Sequence, residues 1–344
     1  MIALIVTIIV LLILAGITVA TLTGDNGLLT KAGEAKNASE QANLEEEVQL
    51  ALIEGQTDKY FNSNSNMEEK LKAIFEKSYG QGNIDVTKAG KNYKAKVKNT
   101  KTAYRIKANG TVEKYEEMNP TEVYARLDDD GTLYLRATQG TGYNVYTNSN
   151  SIQLSWNTAG NATKASVTKV VIEEPIAPTS GYLMFVHCTK LQEIQNIEYL
   201  HTENINNMNN MFCNCGSLQN LNVSRFDTSN VTDMGGMFSS CNSLQNIDVS
   251  NFDTSNVINM GSMFYLCSAL TELDVSGFDT SKIQSMGYMF IYCSKLANID
   301  VTNFNTDNVT NMEYMFFGCN SLKEINVRNF DTKNVTKMNS IWVY

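Results

Sequence analysis

Apolar and polar positions follow one pattern from Phe185 to the end of the chain, and the pattern returns every 26 residues. The stretch from Leu244 to Leu270 shows one unit. It reads Leu-x-x-Ile-x-Val, Phe, a polar Asp-Thr-Ser-Asn cluster, and then Val-x-x-Met-x-x-Met-Phe-x-x-Cys. A strict period of this length indicates a solenoid, in which each unit buries its apolar face only against its neighbours. The recurring residues include Phe212, Phe238, Phe264, Phe290 and Phe316, and Cys188 (one residue further back), Cys215, Cys241, Cys267, Cys293 and Cys319.

Two periods occur inside each unit. Ile247 and Val249 alternate with polar residues, which predicts a strand with one buried face. The later apolar residues lie three or four apart, which predicts a helix, and the Asp-Thr-Ser-Asn cluster has the side chains that cap a helix N-terminus. We therefore expect an α/β solenoid, a leucine-rich-repeat horseshoe, because such repeats have periods of about 20–29 residues.

The amino-acid sequence of the repeat resembles that of a known type of repeat. The segment SLQNIDVSNFDTSNVINMGSMFYLC at 243–267 resembles the repeat of BspA-like leucine-rich-repeat surface proteins, which is also abundant in mycoplasma surface lipoproteins. The resemblance covers roughly residues 181–344. It implies an exposed cell-surface protein, often linked to adhesion, and it implies no reaction.

The repeated cysteine is predicted to be a ladder of small buried hydrophobes. A disulfide ladder is the alternative in a surface protein. Packed helices lie about 8–10 Å apart, beyond the roughly 7 Å Cα limit for a bridge, so we disfavour it. The cysteines lack paired C-x-x-C spacing, and His187 and His201 lie in no zinc, nucleophile or phosphate motif. We therefore expect no metal site, no cofactor and no enzymatic activity.

Outward strand positions form polar rows that are expected to line the concave face of the horseshoe. Three stacked aspartates at a strand spacing of about 4.8 Å would repel one another, so water, Arg328, a cation or a basic partner must offset them. The alternatives are a solvated polar face, a partner-binding surface and a calcium ladder. The candidate partner-binding residues are Asn222, Asp248, Asp274, Asp300 and Asn326, with Ser250, Ser276, Thr302, Glu272 and Arg328 beside them.

A further row lies in the capping turn and is predicted to be structural, through turn and cap hydrogen bonds. It consists of Asp227, Asp253, Asp279, Asn305 and Asp331. The whole net charge of −9 comes from residues 121–344, because residues 1–120 hold 15 basic and 15 acidic side chains. An acidic solenoid repels nucleic acid, and it suits a basic protein, a polyamine-like ligand or a neutral glycan better.

The first 24 residues contain no charged side chain, and Ile2–Leu22 is long enough to span a bilayer as a helix. We expect a retained membrane anchor with the repeats outside the cell. The segment TIIVLLILAGITVATLTGDNGLLTKAGEAK at 7–36 also resembles the N-terminus of type IV pilin-like proteins of Gram-positive anaerobes. That resemblance implies processing by a dedicated peptidase and packing into a filament. The leader and cleavage glycine of that family are not part of the sequence, and no acidic residue lies near its start. We therefore expect either that the start of the chain is placed too late or that the segment is a pilin-derived anchor that does not polymerise.

Residues 25–55 are predicted to continue the helix, 56–118 to form a small α+β pilin-like head, 119–180 a β-rich cap, and 181–344 the repeats. Predicted elements of the head are a helix at Met67–Tyr79 and strands at Tyr93–Lys98, Thr102–Lys107 and Thr111–Glu116. Predicted strands of the cap are Val123–Leu127, Leu133–Ala137, Ser151–Trp156 and Ser166–Ile172. The lysines of the head (Lys91, Lys94, Lys96, Lys98 and Lys101) are expected to form a solvent face rather than to meet an anionic surface.

Together these patterns predict a membrane-anchored surface protein that recognises a protein or glycan ligand on a host or neighbouring cell. A minor pilin or pseudopilin subunit carrying the repeats at a filament tip is the structural alternative. An enzyme is the third, because the cap is poorly determined by its sequence.

Overall fold

The computed structural model describes residues 39–52, 66–119, 121–146 and 164–341. The predicted membrane helix, the pilin-like segment and the strand at 151–156 lie outside these residues. Within the part of the chain that is described, no helix is both long and apolar enough to cross a membrane.

The chain divides into two compact units. Of the described residues, 39–52, 66–86, 95–98 and 104–114 form the first, and 87–94, 99–103 and those from 115 onward form the second. The tip of the hairpin between the first two strands, Thr87–Lys94, is therefore part of the same unit as the repeats.

Two helices and the strand segments around them build the first unit. Helix α1 includes all of the described residues 39–52, and α2 covers Met67–Tyr79 as predicted. The side chain of Asn66 accepts the Glu69 N–H at 3.5 Å and so caps α2. Phe75 of α2 is fully buried, and its ring centroid lies 4.9 Å from that of Tyr104.

A four-stranded sheet follows α2 in the order β1-β2-β3-β4. Three of its strands match the prediction to within a residue at each end, whereas β1 was not predicted. The strands are β1 Ile84–Ala89, β2 Asn92–Val97, β3 Thr102–Ile106 and β4 Val112–Glu116.

A second sheet, in the order β7-β5-β6-β8-β9, leads into the repeats. Strands β5 and β6 form an antiparallel hairpin that turns at Gly131, whereas β6-β8 and β8-β9 pair in parallel. Its buried apolar residues belong to the same continuous core as those of the repeats, which is the arrangement that the predicted cap requires. The strands are β5 Val123–Leu127, β6 Thr132–Arg136, β7 Asn144–Tyr146, β8 Lys169–Ile172 and β9 Glu193–Gln195.

The solenoid prediction is confirmed, but the helix predicted in each repeat is wrong. Residues 200–341 contain no helix, and strand pairing there is limited to isolated parallel bridges such as Asn207 with Asp233. The Met-x-x-Met-Phe-x-x-Cys segment is instead a run of tight turns. The N–H groups of Met211 and Cys213 donate to carbonyls three residues back, whereas that of Phe212 donates to Met237 in the next repeat.

The left-handed backbone explains why a helix cannot form. Asn210 and Asn214 have φ angles of 55° and 62°, which break a right-handed helix. Each turns its N–H toward the following repeat, where the carbonyls of Gly235 and Ser239 accept it at 2.8 and 2.7 Å. Two consecutive turns place apolar residues three or four apart, as a helix does, so the spacing alone could not separate the two structures.

The core is a column of repeated side chains, and the predicted buried ladder is confirmed. Stacked phenylalanine rings lie 5.3 to 5.8 Å apart along the column, as for Phe212 and Phe238 at 5.8 Å. The cysteines are free, and the Sγ of Cys241 donates to the carbonyl of Phe212 at 3.2 Å. Burial raises the pKa of the Cys241 thiol to about 12, so the ladder consists of neutral thiols.

Candidate binding groove

A hydrogen-bonded turn fixes each repeat to the next. As predicted for the row that contains Asp227, its Oδ1 accepts the Ser229 N–H at 3.1 Å, and the same turn recurs at Asp253 and Asn305. Sequence reasoning missed the threonine that follows. The buried Thr228 hydroxyl accepts the Asp253 N–H at 2.8 Å and donates to the Asp253 carbonyl at 3.0 Å, one repeat further on. The recurring Asp-Thr pair was the signal for this ladder.

Six of the ten predicted candidate residues line one groove of about 1190 Å³, here called the acidic groove. Its carboxylates are Asp248, Glu272, Asp274, Asp300 and Glu324. Asn326 and Arg328 also line it, and its apolar lining comes from the row of Ile247, Leu273, Ile299 and Ile325 with Val275 and Val327.

Four other candidates lie outside that lining. Asn222 lines a neighbouring groove of about 480 Å³, which shares Asp248 with the first. Ser250, Ser276 and Thr302 stabilise the turns of the groove through their backbone N–H groups. Each N–H donates to the Oδ1 of the aspartate two positions before it, at 2.9 Å in all three cases; these aspartates are Asp248, Asp274 and Asp300.

This turn does not need a negative charge. At the two ends of the row, Asn222 accepts the Ser224 N–H at 3.0 Å and Asn326 accepts the Arg328 N–H at 3.3 Å. An amide oxygen therefore closes the same turn that Asp248, Asp274 and Asp300 close with a carboxylate. The charges of the three central repeats exceed what the local backbone requires.

One aspartate of the groove is already paired. The Lys91 Nζ, on the hairpin tip, lies 2.8 Å from the Asp274 Oδ2. The hydrogen bond from Lys91 lowers the pKa of Asp274 to about 2, with help from Ser276. The prediction that the head lysines form only a solvent face is wrong for Lys91, since a contact 183 residues apart in the chain leaves no local pattern.

The neighbouring aspartates keep an open carboxylate oxygen. The Oδ1 of Asp300 accepts the N–H and the hydroxyl of Thr302 at 2.9 and 2.6 Å, and these bonds lower the pKa of Asp300. Asp248 uses its Oδ1 for Ser250 in the same way. Among the described residues, neither Asp248 nor Asp300 has a partner at Oδ2, so both can accept a cationic donor.

A second lysine of the hairpin also corrects the solvent-face prediction. The Lys94 Nζ lies 2.5 Å from the Asp227 Oδ2 and 3.0 Å from the Glu117 Oε1, with 18% of the Lys94 side chain exposed. Burial alone would raise the pKa of Asp227, but the ammonium of Lys94 brings it below its ordinary value. This buried ion pair joins the hairpin tip to the repeats at the turn that Asp227 closes.

The described residues contain no group of three or more His, Cys, Asp or Glu side chains that could hold a metal ion. The three aspartates of the groove, Asp248, Asp274 and Asp300, lie on successive repeats, and each accepts the N–H of its own turn. Their arrangement is that of a row of single acceptors rather than of a cation cage.

Comparisons with known proteins single out the repeats. No curated protein matches the chain significantly. Among solved structures, the crystal structure of a T. pallidum leucine-rich repeat protein matches with 20% sequence identity and a TM-score of 0.31, covering 61% of this chain and 92% of that one. Residues 179–274 and 267–344 match the family described as "Mycoplasma protein of unknown function, DUF285". The repeat region, just under half of the chain, is therefore similar to DUF285 proteins, which supports the mycoplasma part of the predicted resemblance.

Proposed function

We propose that the chain is a cell-surface recognition protein of the BspA-like leucine-rich-repeat type, and that its acidic groove binds a cationic segment of a partner protein. The observation that carries the proposal is the excess of charge in the groove. Aspartate occupies the row at Asp248, Asp274 and Asp300 although asparagine makes the same turn at both ends.

The composition of the groove fits lysine and arginine side chains. Five carboxylates face a single arginine along its lining, so the local potential attracts cations and speeds their association. The adjacent aliphatic row from Ile247 to Ile325 offers apolar surface, along which the methylene stem of a lysine or arginine packs while its charged end meets a carboxylate. A neutral glycan would use neither the charge nor the aliphatic row as fully.

The test is a calorimetric titration of the whole chain with pentalysine at low ionic strength. In the groove variant, Asp248, Asp274 and Asp300 are all changed to asparagine, which preserves the turns. The matched control changes Asp279, Asp307 and Asp331 to asparagine. The control also removes three negative charges, so it alters the net charge by the same amount. Its three residues lie outside the groove lining.

We expect the groove variant to bind pentalysine at least about tenfold more weakly than the native chain, because the open carboxylates of Asp248 and Asp300 and the charge of Asp274 beside them are lost. The control is expected to lose much less, since long-range attraction between exposed charges is screened. Equal losses in the two variants would show that the probe responds to net charge alone, and the groove would then not be the binding site.

Surface exposure is part of the same proposal. It rests on the repeat resemblance and on the uncharged stretch at 1–24. Brief protease treatment of intact producing cells tests it, because repeats on the outer surface would be cleaved before a cytoplasmic marker protein. Protection of the repeats until the cells are lysed would contradict it.

A further inference from the structure

The hairpin tip reaches the repeats at a place where they depart from their own pattern. Besides the ion pair of Lys91 with Asp274, the side-chain amide of Asn92 donates to the Ser250 carbonyl at 3.2 Å. Asn92 is only 4% exposed, so its end of this contact is buried. The tip therefore makes contacts with two successive repeats.

Gly90 shows how closely the two backbones approach. A Cβ added at this residue would lie 2.7 Å from the Phe252 carbonyl oxygen and 2.9 Å from that of Gly277. Both distances are too short for a real contact, and the φ angle of +58° also disfavours side chains. The residue before Lys91 must be glycine for the lysine to reach Asp274 in this way.

The repeats make room for Lys91 with a second glycine. Asparagine occupies this repeat position at Asn251, Asn303 and Asn329, and donates to the carbonyl of a phenylalanine in the preceding repeat, as Asn251 does to Phe226 at 3.0 Å. Gly277 interrupts the row. A Cβ there would lie 3.2 Å from Cγ and 3.3 Å from Cδ of Lys91, so a side chain at this position would crowd the lysine stem. Because glycine has no side chain, this repeat lacks the hydrogen bond that asparagine makes to the phenylalanine carbonyl in the other three.

We propose that Asp274 and Gly277 form a lysine-binding subsite at the edge of the acidic groove, and that Lys91 is its resident occupant. The inference rests on the proposed function and names its chemistry: a partner presents a primary ammonium on an unbranched stem. Such a partner competes with Lys91 at Asp274, while it meets open carboxylates at Asp248 and Asp300. Lys91 thereby lowers the affinity of the chain for lysine-bearing segments.

Lys91 can be changed without detaching the hairpin tip. The tip keeps the buried ion pair of Lys94 with Asp227 at 2.5 Å and the bond from Asn92. Lys91→Met removes the ammonium but retains an unbranched stem over Gly277. Lys333→Met is the matched control, because Lys333 forms an ion pair of the same length, 2.8 Å, with Asp331 outside the groove lining.

The experiment titrates pentalysine into the native chain, Lys91→Met, Lys333→Met and Asp274→Asn, alone and combined with Lys91→Met. We expect Lys91→Met to bind about fivefold more tightly, as the loss of one exposed competing ion pair allows, and Lys333→Met to bind like the native chain. In the Asp274→Asn background, Lys91→Met should have no effect.

Each other outcome is decisive. If the groove binds pentalysine but Lys91→Met is no tighter than Lys333→Met, the subsite proposal is wrong and the proposed function stands. A gain in Lys91→Met that survives in the Asp274→Asn background would also overturn the subsite. If neither the native chain nor Lys91→Met binds the probe, both proposals fail. Melting curves of all variants show whether the fold is retained, and Lys91→Ala provides a second substitution if Lys91→Met unfolds.

Discussion

Replacing Asp227 by asparagine is expected to destabilise the fold, whereas the same change at Asp253 is not. Both residues occupy the same position of successive repeats, both are buried, and each accepts the N–H two residues further on, at 3.1 and 3.0 Å. Asn305 closes the equivalent turn with an amide at 2.8 Å. The turn should therefore survive in both variants, and only the charge is tested.

The charge has opposite consequences at the two sites. Asp227 pairs with the buried Lys94, and breaking a buried ion pair costs about 3–5 kcal/mol because the remaining charge loses its partner. Glu117 stays 3.0 Å from Lys94, so we expect about 3 kcal/mol for Asp227→Asn. Asp253 forms no ion pair with any residue that the structure describes, and burial raises its pKa. Asp253→Asn should therefore change the free energy of unfolding by less than about 1 kcal/mol, or increase it.

The pH dependence of the folding stability follows from the pKa shifts of Asp227 and Asp253. The folded-state pKa of Asp227 is depressed, so its stabilising contribution is present above the unfolded value of about 3.9 and is lost as the pH falls below it. The folded-state pKa of Asp253 is raised, so its contribution is present below that unfolded value and is lost as the pH rises through the raised one.

Thermal melts of the two variants at pH 7 measure the difference. A cost of about 3 kcal/mol lowers the Tm by roughly 6–12 °C in a unit of 150–250 residues, whereas Asp253→Asn should melt with or above the native chain. If the two asparagine variants melted together, the ion pair between Lys94 and Asp227 would not hold the hairpin tip, and the reasoning would be refuted.

Three further predictions concern the ladders. Thr228→Val should cost about 2–3 kcal/mol in chemical denaturation, because both hydrogen bonds of its buried hydroxyl to the next repeat are lost; the exposed Thr232→Val should cost less than about 1 kcal/mol, and equal costs would contradict the threonine ladder. Phe264→Ala should cost about 3–5 kcal/mol, since its ring stacks between Phe238 and Phe290 at 5.6 and 5.8 Å; a loss no larger than that of Phe264→Leu would argue against the stack. Iodoacetamide on the native chain should modify the half-buried Cys213 before Cys241, whose fully buried thiol has a pKa near 12; the reverse order, read by peptide mass spectrometry, would show that the cysteine column is open.

Local patterns predicted the parts of the fold that local interactions determine. The bounds of α2 at Met67–Tyr79 and of β5 at Val123–Leu127 agree with the sequence prediction, because apolar periodicity and turn residues specify both. The repeated core could also be read directly, since a period of 26 places Phe264 and Cys267 at equivalent depths in every unit.

The helix of the repeat failed because its hydrogen bonds are not local. Carbonyls 25 residues ahead accept alternate N–H groups of the segment, as Gly236 donates to Gly261, and no spacing within one repeat reveals such partners. One signal was present. One left-handed position holds Asn210, Gly236 and Ser262 in three successive repeats, which are small or polar residues that often mark turns, although Tyr288 and Tyr314 occupy it in the next two.

The candidate groove was predictable in its residues but not in its occupant. Alternation along the repeats identified Asp248, Asp274 and Asp300, and all three line one groove. The contact of Lys91 with Asp274 depends on how a distant hairpin meets the repeats, which no periodicity reports. The break in the asparagine row at Gly277 is the trace that this contact leaves in the sequence.

The most direct test of the account is a crystal structure of the whole chain with pentalysine bound. We expect ammonium groups of the probe at the open oxygens of Asp248 and Asp300, with the lysine stems along the aliphatic row of the groove and Lys91 either retained at Asp274 or displaced from it by a third lysine. Probe bound only elsewhere on the repeats, with the acidic groove unchanged, would contradict the central claim that this groove is the recognition surface.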